Sequence, residues 1–223
     1  MQINIISDFV CPYCYIASKN LELALESVPY RDEIEIKYQS FQLYPDLPKD
    51  KPISLFDMLK KFKNLSYEHV ELLLSHVNEV AEELGLSFDF HNLKYTNTVK
   101  THRVFKYANS QGVGNQFFDK MYESFFTNGN IITETDVLLE ATSSLGLNEI
   151  DVLEVIYDED MYRDDVLQDV ADSYAIEVWS VPFLAFDEKY GIYGGKSPES
   201  IIAVMDKIYD GSIINEEPSY KNN

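Results

Sequence analysis

The chain has 223 residues, 45% of them hydrophobic and 13% aromatic, enough for one domain with a sizeable core or a domain carrying an insertion. Its net charge of −20 opposes nonspecific electrostatic binding to nucleic acid or an anionic membrane, and no segment has the length and apolarity of a membrane span. Two cysteines are too few for a disulfide scaffold.

Gln2 to Phe9 alternates and is rich in isoleucine (Ile3, Ile5, Ile6), which predicts a first strand. The opening MQINIISDF has no basic start and no apolar signal core, so the expected compartment is the cytoplasm. Pro12 suits the first residue of a helix, where its fixed backbone angle and missing N–H are tolerated. Ile16, Ala17, Leu21, Ala24, Leu25 and Val28 then recur at helical spacing until Pro29. Glu33 to Leu43 predicts a second strand, with Ile34, Ile36 and Tyr38 on one face. The opening therefore reads as a βαβ unit with Cys11 and Cys14 at the helix start.

Tyr44 to Pro52 is rich in turn residues, and helical patterns follow it. Ser66 suits the cap of a helix carrying Val70, Leu73, Leu74, Val77, Ala81 and Leu84, closed by Gly85. Asn97 suits the cap of another, with Val104, Phe105 and Ala108. Phe117 to Phe126 is an aromatic helical segment. Thr133 or Thr135 opens a helix that Gly146 closes, and Asn148–Tyr157 and Asp164–Ala175 follow. Val178 to Phe186 predicts a buried strand entered through Pro182, with Tyr190 to Tyr193 as its partner. A last helix holds Pro198, Ile201, Ile202, Met205 and Ile208.

The cysteine spacing narrows the chemistry. Structural zinc needs four ligands, and neither a second CxxC pair nor a ligand-spaced set among His69, His76, His91 and His102 accompanies the first, so no metal is expected. A disulfide closing so short a loop removes little entropy from the unfolded chain, which argues against a staple. Redox chemistry fits. Helical residues three apart have Cβ atoms about 5–6 Å apart, within a modest adjustment of disulfide bonding. A helix N-terminus offers partial positive charge and unpaired N–H groups, which favour a thiolate on Cys11, the more N-terminal thiol. Cys11 would attack a substrate disulfide and Cys14 would resolve the mixed disulfide, with the reverse steps oxidising a dithiol.

The strand ending in Asp8-Phe9, the run Val10-Cys11-Pro12-Tyr13-Cys14-Tyr15 and the long first helix resemble the DsbA-like group of thioredoxin-fold proteins. Asn97-Thr98 with His102-Arg103, and Val181-Pro182-Phe183 followed by KYGIYGGKSPE, resemble its FrnE-like cytosolic branch. The resemblance runs in order from residue 1 to about 210. It implies an α/β thioredoxin-like fold with a large all-helical insertion: a thioredoxin-like domain from 1–52 and 161–212, an insertion over 53–160, and a flexible tail, 213–223.

It also implies a thiol–disulfide oxidoreductase or isomerase with Cys11 and Cys14 catalytic. Val181 and a cis Pro182 would lie beside Cys11 and bind an extended substrate, with Pro12, Tyr13 and His102 lining the site. Tyr13 departs from the residue that many periplasmic relatives carry, so a strongly oxidising potential is not implied. The expected partners are protein or peptide thiols and disulfides, with glutathione or the thioredoxin system as a co-substrate. No cofactor beyond the Cys11–Cys14 couple is expected. Two alternatives remain open: a glutathione-dependent isomerase or transferase of the 2-hydroxychromene-2-carboxylate isomerase type, and a redox-sensitive adaptor. For the other candidates the choice is between two roles. Asp8 suits a proton shuttle or a turn, and Phe9, Trp179 and Phe183 suit an apolar rim around Cys11 or simply the core.

Overall fold

A computed structural model describes residues 1–212; the tail expected over 213–223 lies outside them. The described chain forms two compact units, one from Met1–Phe41 with the residues from Asp169 onward, the other from Gln42–Gln168. The alternating isoleucines form β1 (Gln2–Ser7), and the helix opened by Pro12 is α1 (Pro12–Glu26). A 3₁₀ turn at Arg31–Glu33 leads into β2 (Glu35–Ser40), which pairs with β1 in parallel, Ile3 opposite Ile36 and Ser7 opposite Ser40.

The second unit begins with β3 (Ile53–Ser54), α2 (Leu55–Lys63), α3 (Tyr67–Glu83) and β4 (Lys94–Tyr95), the two short strands pairing antiparallel. The spacing does not mark α2 as a separate helix. Its cap is Ser54, whose hydroxyl accepts from Asp57 N–H at 3.1 Å. Next come α4 (Val99–Ser110), α5 (Gly114–Tyr122), a π-helical turn at Glu123–Thr127, α6 (Thr135–Ser144) and α7 (Glu149–Tyr157). The core of this unit is aromatic, with Tyr95 edge-on to Phe125 and Phe105 edge-on to Phe118. Residues 42–52 group with it because Asn97 ties them down. Its N–H donates to Pro48 O at 3.1 Å and its side-chain amide to Pro45 O at 2.6 Å.

α8 (Arg163–Ala175) carries the chain back to the first unit. There β5 (Phe183–Phe186) pairs antiparallel with β1, and β6 (Tyr190–Tyr193) with β5. The sheet order is β2-β1-β5-β6. The predicted strand over 178–186 is shorter than its composition suggests. Val178 N–H closes the end of α8 on Ser173 O at 2.9 Å, and Pro182 has no N–H to give a ladder. Finally α9 (Pro198–Tyr209) is capped by Ser197 and lies along α1, Tyr30 stacking on Tyr209 at 4.0 Å. Among the described residues no helix is long and apolar enough to cross a membrane.

Candidate active site

The site is built where β1 ends. Cys11 is the N-cap of α1, in extended conformation, and makes no side-chain cap bond, so its sulfur is not spent on the helix. Cys14 N–H donates to Cys11 O at 3.0 Å and Tyr15 N–H to the same oxygen at 3.4 Å, the first closures of the helix. Pro12 takes the place where a helix has no use for an N–H, as the sequence predicts.

The register of β1 with β5 sets the opposite wall. Ile6 faces Phe183, so the residue before Phe183 arrives beside the end of β1. The Val181–Pro182 peptide is cis, as expected, and the Cys11 thiol donates to Val181 O across 3.7 Å. Gly194 N–H donates to Pro182 O at 3.0 Å, and Asn20 holds the following loop through Lys196 O at 2.9 Å. A Cβ at Gly195 would stand 3.1 Å from Ile16 and 3.7 Å from Tyr13 O, so this loop lies directly on the first turns of α1.

Both thiols are free and buried, Cys11 at 4% exposure and Cys14 at 0%. Burial pushes the Cys14 thiol well above its ordinary value. Its hydrogen bond to Cys11 and the charge that Cys11 acquires push the same way, whereas the Ser7 side chain and the Asp8 backbone N–H oppose them by donating to the sulfur. Ser7 and Asp8 are themselves fully buried. The Ser7 contact has no signature in the sequence. It arises because β1 stops one residue before Asp8 and the chain turns over Cys14.

The remaining predicted residues separate. Pro12 is half-buried, and Tyr13 is 38% exposed beside the thiols. Phe9 and Phe183 are core residues, with Phe183 edge-on to Tyr193 at 4.7 Å. Trp179 is not a core residue: it is 67% exposed and stacks on Tyr174 at 4.9 Å. His102 lies in the other unit on α4, fully buried, its ring tilted toward Phe118. Neighbouring Arg103 is equally buried and serves structure. Its guanidinium donates to the carbonyls of Val155, Ile156, Asp158 and Met161 around the end of α7. Asn97 caps α4 from one residue further out than expected, Oδ1 accepting from Val99 N–H at 2.9 Å while Thr98 holds the cap position. Among the described residues no cluster of histidine, cysteine, aspartate or glutamate has the make-up of a metal site.

The family model described as a DSBA-like thioredoxin domain matches residues 2–205. A probable DsbA oxidoreductase of Streptomyces coelicolor superimposes with a TM-score of 0.89 at 26% identity, over 94% of this chain and 90% of that one. The cytosolic disulfide reductase DsbM of Pseudomonas aeruginosa, solved with GSH, gives a TM-score of 0.64 at 16% identity, over 94% of this chain and 100% of its own. The uncharacterized protein YwbO of Bacillus subtilis is 23% identical over 150 residues, 66% of this chain and 68% of that protein.

Proposed function

The chain belongs to the DSBA-like thioredoxin domain family, and from that premise we propose that it is a cytoplasmic thiol–disulfide oxidoreductase acting on protein or peptide disulfides through Cys11 and Cys14. The observation that carries the proposal is the Cys11 thiol at the start of α1 facing Val181 O across 3.7 Å, with Cys14 buried behind it.

The chemistry is a two-electron exchange. Cys11 thiolate attacks one sulfur of the substrate disulfide, and the other sulfur leaves as a thiolate that takes a proton. Cys14, once deprotonated, attacks the Cys11 sulfur of the mixed disulfide and releases the second substrate thiol. The substrate is reduced by two electrons and the Cys11–Cys14 pair is oxidised to a disulfide. Glutathione or the thioredoxin system returns it to the dithiol. Val181 O and the neighbouring backbone offer an extended substrate a strand-like partner beside the attacking sulfur, with Pro12 and Tyr13 on the helix side.

The experiment compares reduction of a model protein disulfide by the wild type and by Cys11→Ser. The wild type is expected to reduce it stoichiometrically and Cys11→Ser not at all; equal rates refute the proposal. Cys14→Ser is expected to accumulate disulfide-linked substrate on Cys11.

A further inference from the structure

Four of the chain's 18 lysines and arginines, Lys49, Lys100, Arg103 and Arg163, line one cavity of about 250 Å³ in the second unit. Of the 38 aspartates and glutamates, Glu159 alone among the described residues lines it. This balance is the reverse of the chain's net charge of −20, so the cations are gathered there against the general composition. A protein of that net charge repels small anions overall, and any anion it holds needs a local concentration of this kind. The first turn of α4 adds Val99 and Lys100 to the wall, and the partial positive charge of a helix start acts in the same sense.

Each of the four cations has a partner, and the partners differ in kind. Arg103, 2% exposed, donates to four backbone carbonyls around the end of α7, and Lys100 Nζ donates to Thr133 O at 3.1 Å. Carbonyls fix these two side chains without cancelling their charge. Lys49 pairs with Glu159 at 2.6 Å and Arg163 with Asp160 at 3.4 Å. Both of these pairs are exposed, and exposed pairs hold their members weakly. Glu159 shows what the cavity favours. The hydrogen bond and charge of Lys49 hold its carboxyl below the ordinary carboxylate range, and Arg103 and Arg163 act in the same direction against desolvation. Asp158 and Asp160 stand with Glu159 on the exposed turn after α7, and the charges of all three act on Arg103. Guanidinium and ammonium donors match carboxylate and phosphate oxygens, and several on one wall suit a doubly charged anion. The volume lies below the range of about 300–1,000 Å³ typical of drug-sized ligands, so the occupant is small.

We infer that this cavity binds a small dianion, a dicarboxylate or a phosphate, with Lys100, Arg103 and Arg163 as its cationic wall and Glu159 as the carboxylate that the ligand displaces from Lys49. The site is independent of the oxidoreductase reading, because every lining residue belongs to the second unit and both cysteines to the first.

The test is calorimetric titration of the reduced full chain with inorganic phosphate and, separately, with succinate. Chloride at about 0.15 M screens long-range interactions. Saturable binding of one or both is expected, and the tighter of the two identifies the source of the dianion. For that probe, Lys100→Gln and Arg163→Gln are each expected to weaken affinity about fivefold to tenfold, the range for losing one hydrogen bond to a charged group. Glu159→Gln removes the competing carboxylate and is expected to tighten binding about twofold to fivefold, a gain that misfolding cannot produce. Glu26→Gln removes the same charge from an exposed position at the end of α1, outside the cavity, and is expected to leave affinity unchanged. Cys11→Ser/Cys14→Ser is expected to bind as the wild type does. The inference is overturned by no saturable binding of either probe, by unchanged affinity in both Lys100→Gln and Arg163→Gln, or by equal gains in Glu26→Gln and Glu159→Gln. Loss of binding in the double serine variant also overturns it, since the anion would then sit at the thiols.

Discussion

Gly191→Ala tests how tightly the floor of the site is packed. Gly191 faces Ala185 in the β5–β6 pair, and the ring of Phe183 lies across it. A Cβ at 191 would stand 2.0 Å from Phe183 Cζ and 2.7 and 2.9 Å from the two Cε atoms. Ordinary contact begins at 3.4 Å, so the ring would have to retreat by well over an ångström. It has little room, being 1% exposed and edge-on to Tyr193. Overpacking of this kind costs about 1–3 kcal/mol. Alanine would otherwise stabilise a strand by about 0.5–1 kcal/mol relative to glycine, so the close approach decides the sign. The net loss of about 0.5–2 kcal/mol corresponds to a fall of about 1–8 °C in Tm for a chain of this size. Thermal unfolding followed by circular dichroism measures it. Because Phe183 directly follows Pro182, the rate at which Cys11 attacks a disulfide is expected to fall as well. An unchanged or raised Tm refutes the packing argument. So does an equal cost in a Phe183→Ala background, where the obstructing ring is gone and the penalty is expected to vanish.

Arg103→Met leaves the carbonyls of Val155, Ile156, Asp158 and Met161 without the guanidinium that gathers them. The expected loss is about 2–4 kcal/mol, read as a lower urea midpoint, and an unchanged midpoint refutes the assignment. Asp169→Ala removes the acceptor of the buried Ser40 N–H at the end of β2. It is expected to cost about 1–3 kcal/mol by the same measurement, and wild-type stability would refute it.

Most of the first unit was legible because its signals are local. Isoleucine alternation gave β1, proline at the helix start gave α1, and Pro198 with the spacing of Ile201, Ile202, Met205 and Ile208 gave α9. The two cysteines were legible for the same reason, since their spacing and helix-start position lie within one stretch of chain. What escaped depends on tertiary contacts. Helix α2 is short, with three lysines in its last turn, and its apolar positions do not stand out from the loop before it. The Val178–Pro182 segment has the composition of a strand but makes a turn and a loop. That outcome depends on the Ser173 carbonyl capturing the Val178 N–H. Trp179 reads as rim or core by composition, and its stack on Tyr174 accompanies its place at the surface. Ser7 carries no motif, because its contact with Cys14 is created by the turn through Asp8 and not by sequence spacing.

The environment of Cys14 makes the resolving thiol conditional on Cys11. Burial is the first cause of its raised pKa, and the next two both come from Cys11, as hydrogen-bond acceptor and as a neighbouring negative charge. Ser7 and the Asp8 N–H pull the other way. When Cys11 becomes part of a mixed disulfide it can no longer carry charge, and the balance at Cys14 shifts toward the two donors. Cys14 is thus held as a thiol while Cys11 is free and becomes easier to deprotonate once there is a mixed disulfide to resolve. Cys11→Ala mimics the loss of the charged neighbour, so thiolate absorbance of Cys14 in that variant is expected at lower pH than in the reduced wild type. Stability follows the same logic. A thiol raised by folding stabilises the native state fully below the unfolded value, near 9.0. That contribution is lost as pH rises toward the folded value, with a slope approaching about 1.4 kcal/mol per pH unit. The urea midpoint of the reduced wild type is therefore expected to fall more steeply above pH 9 than that of Cys14→Ala. Cys11→Ala should lose less in total, because its folded value is less raised. Identical titration of Cys14 with and without Cys11 would refute the coupling and leave burial alone to explain the raised thiol.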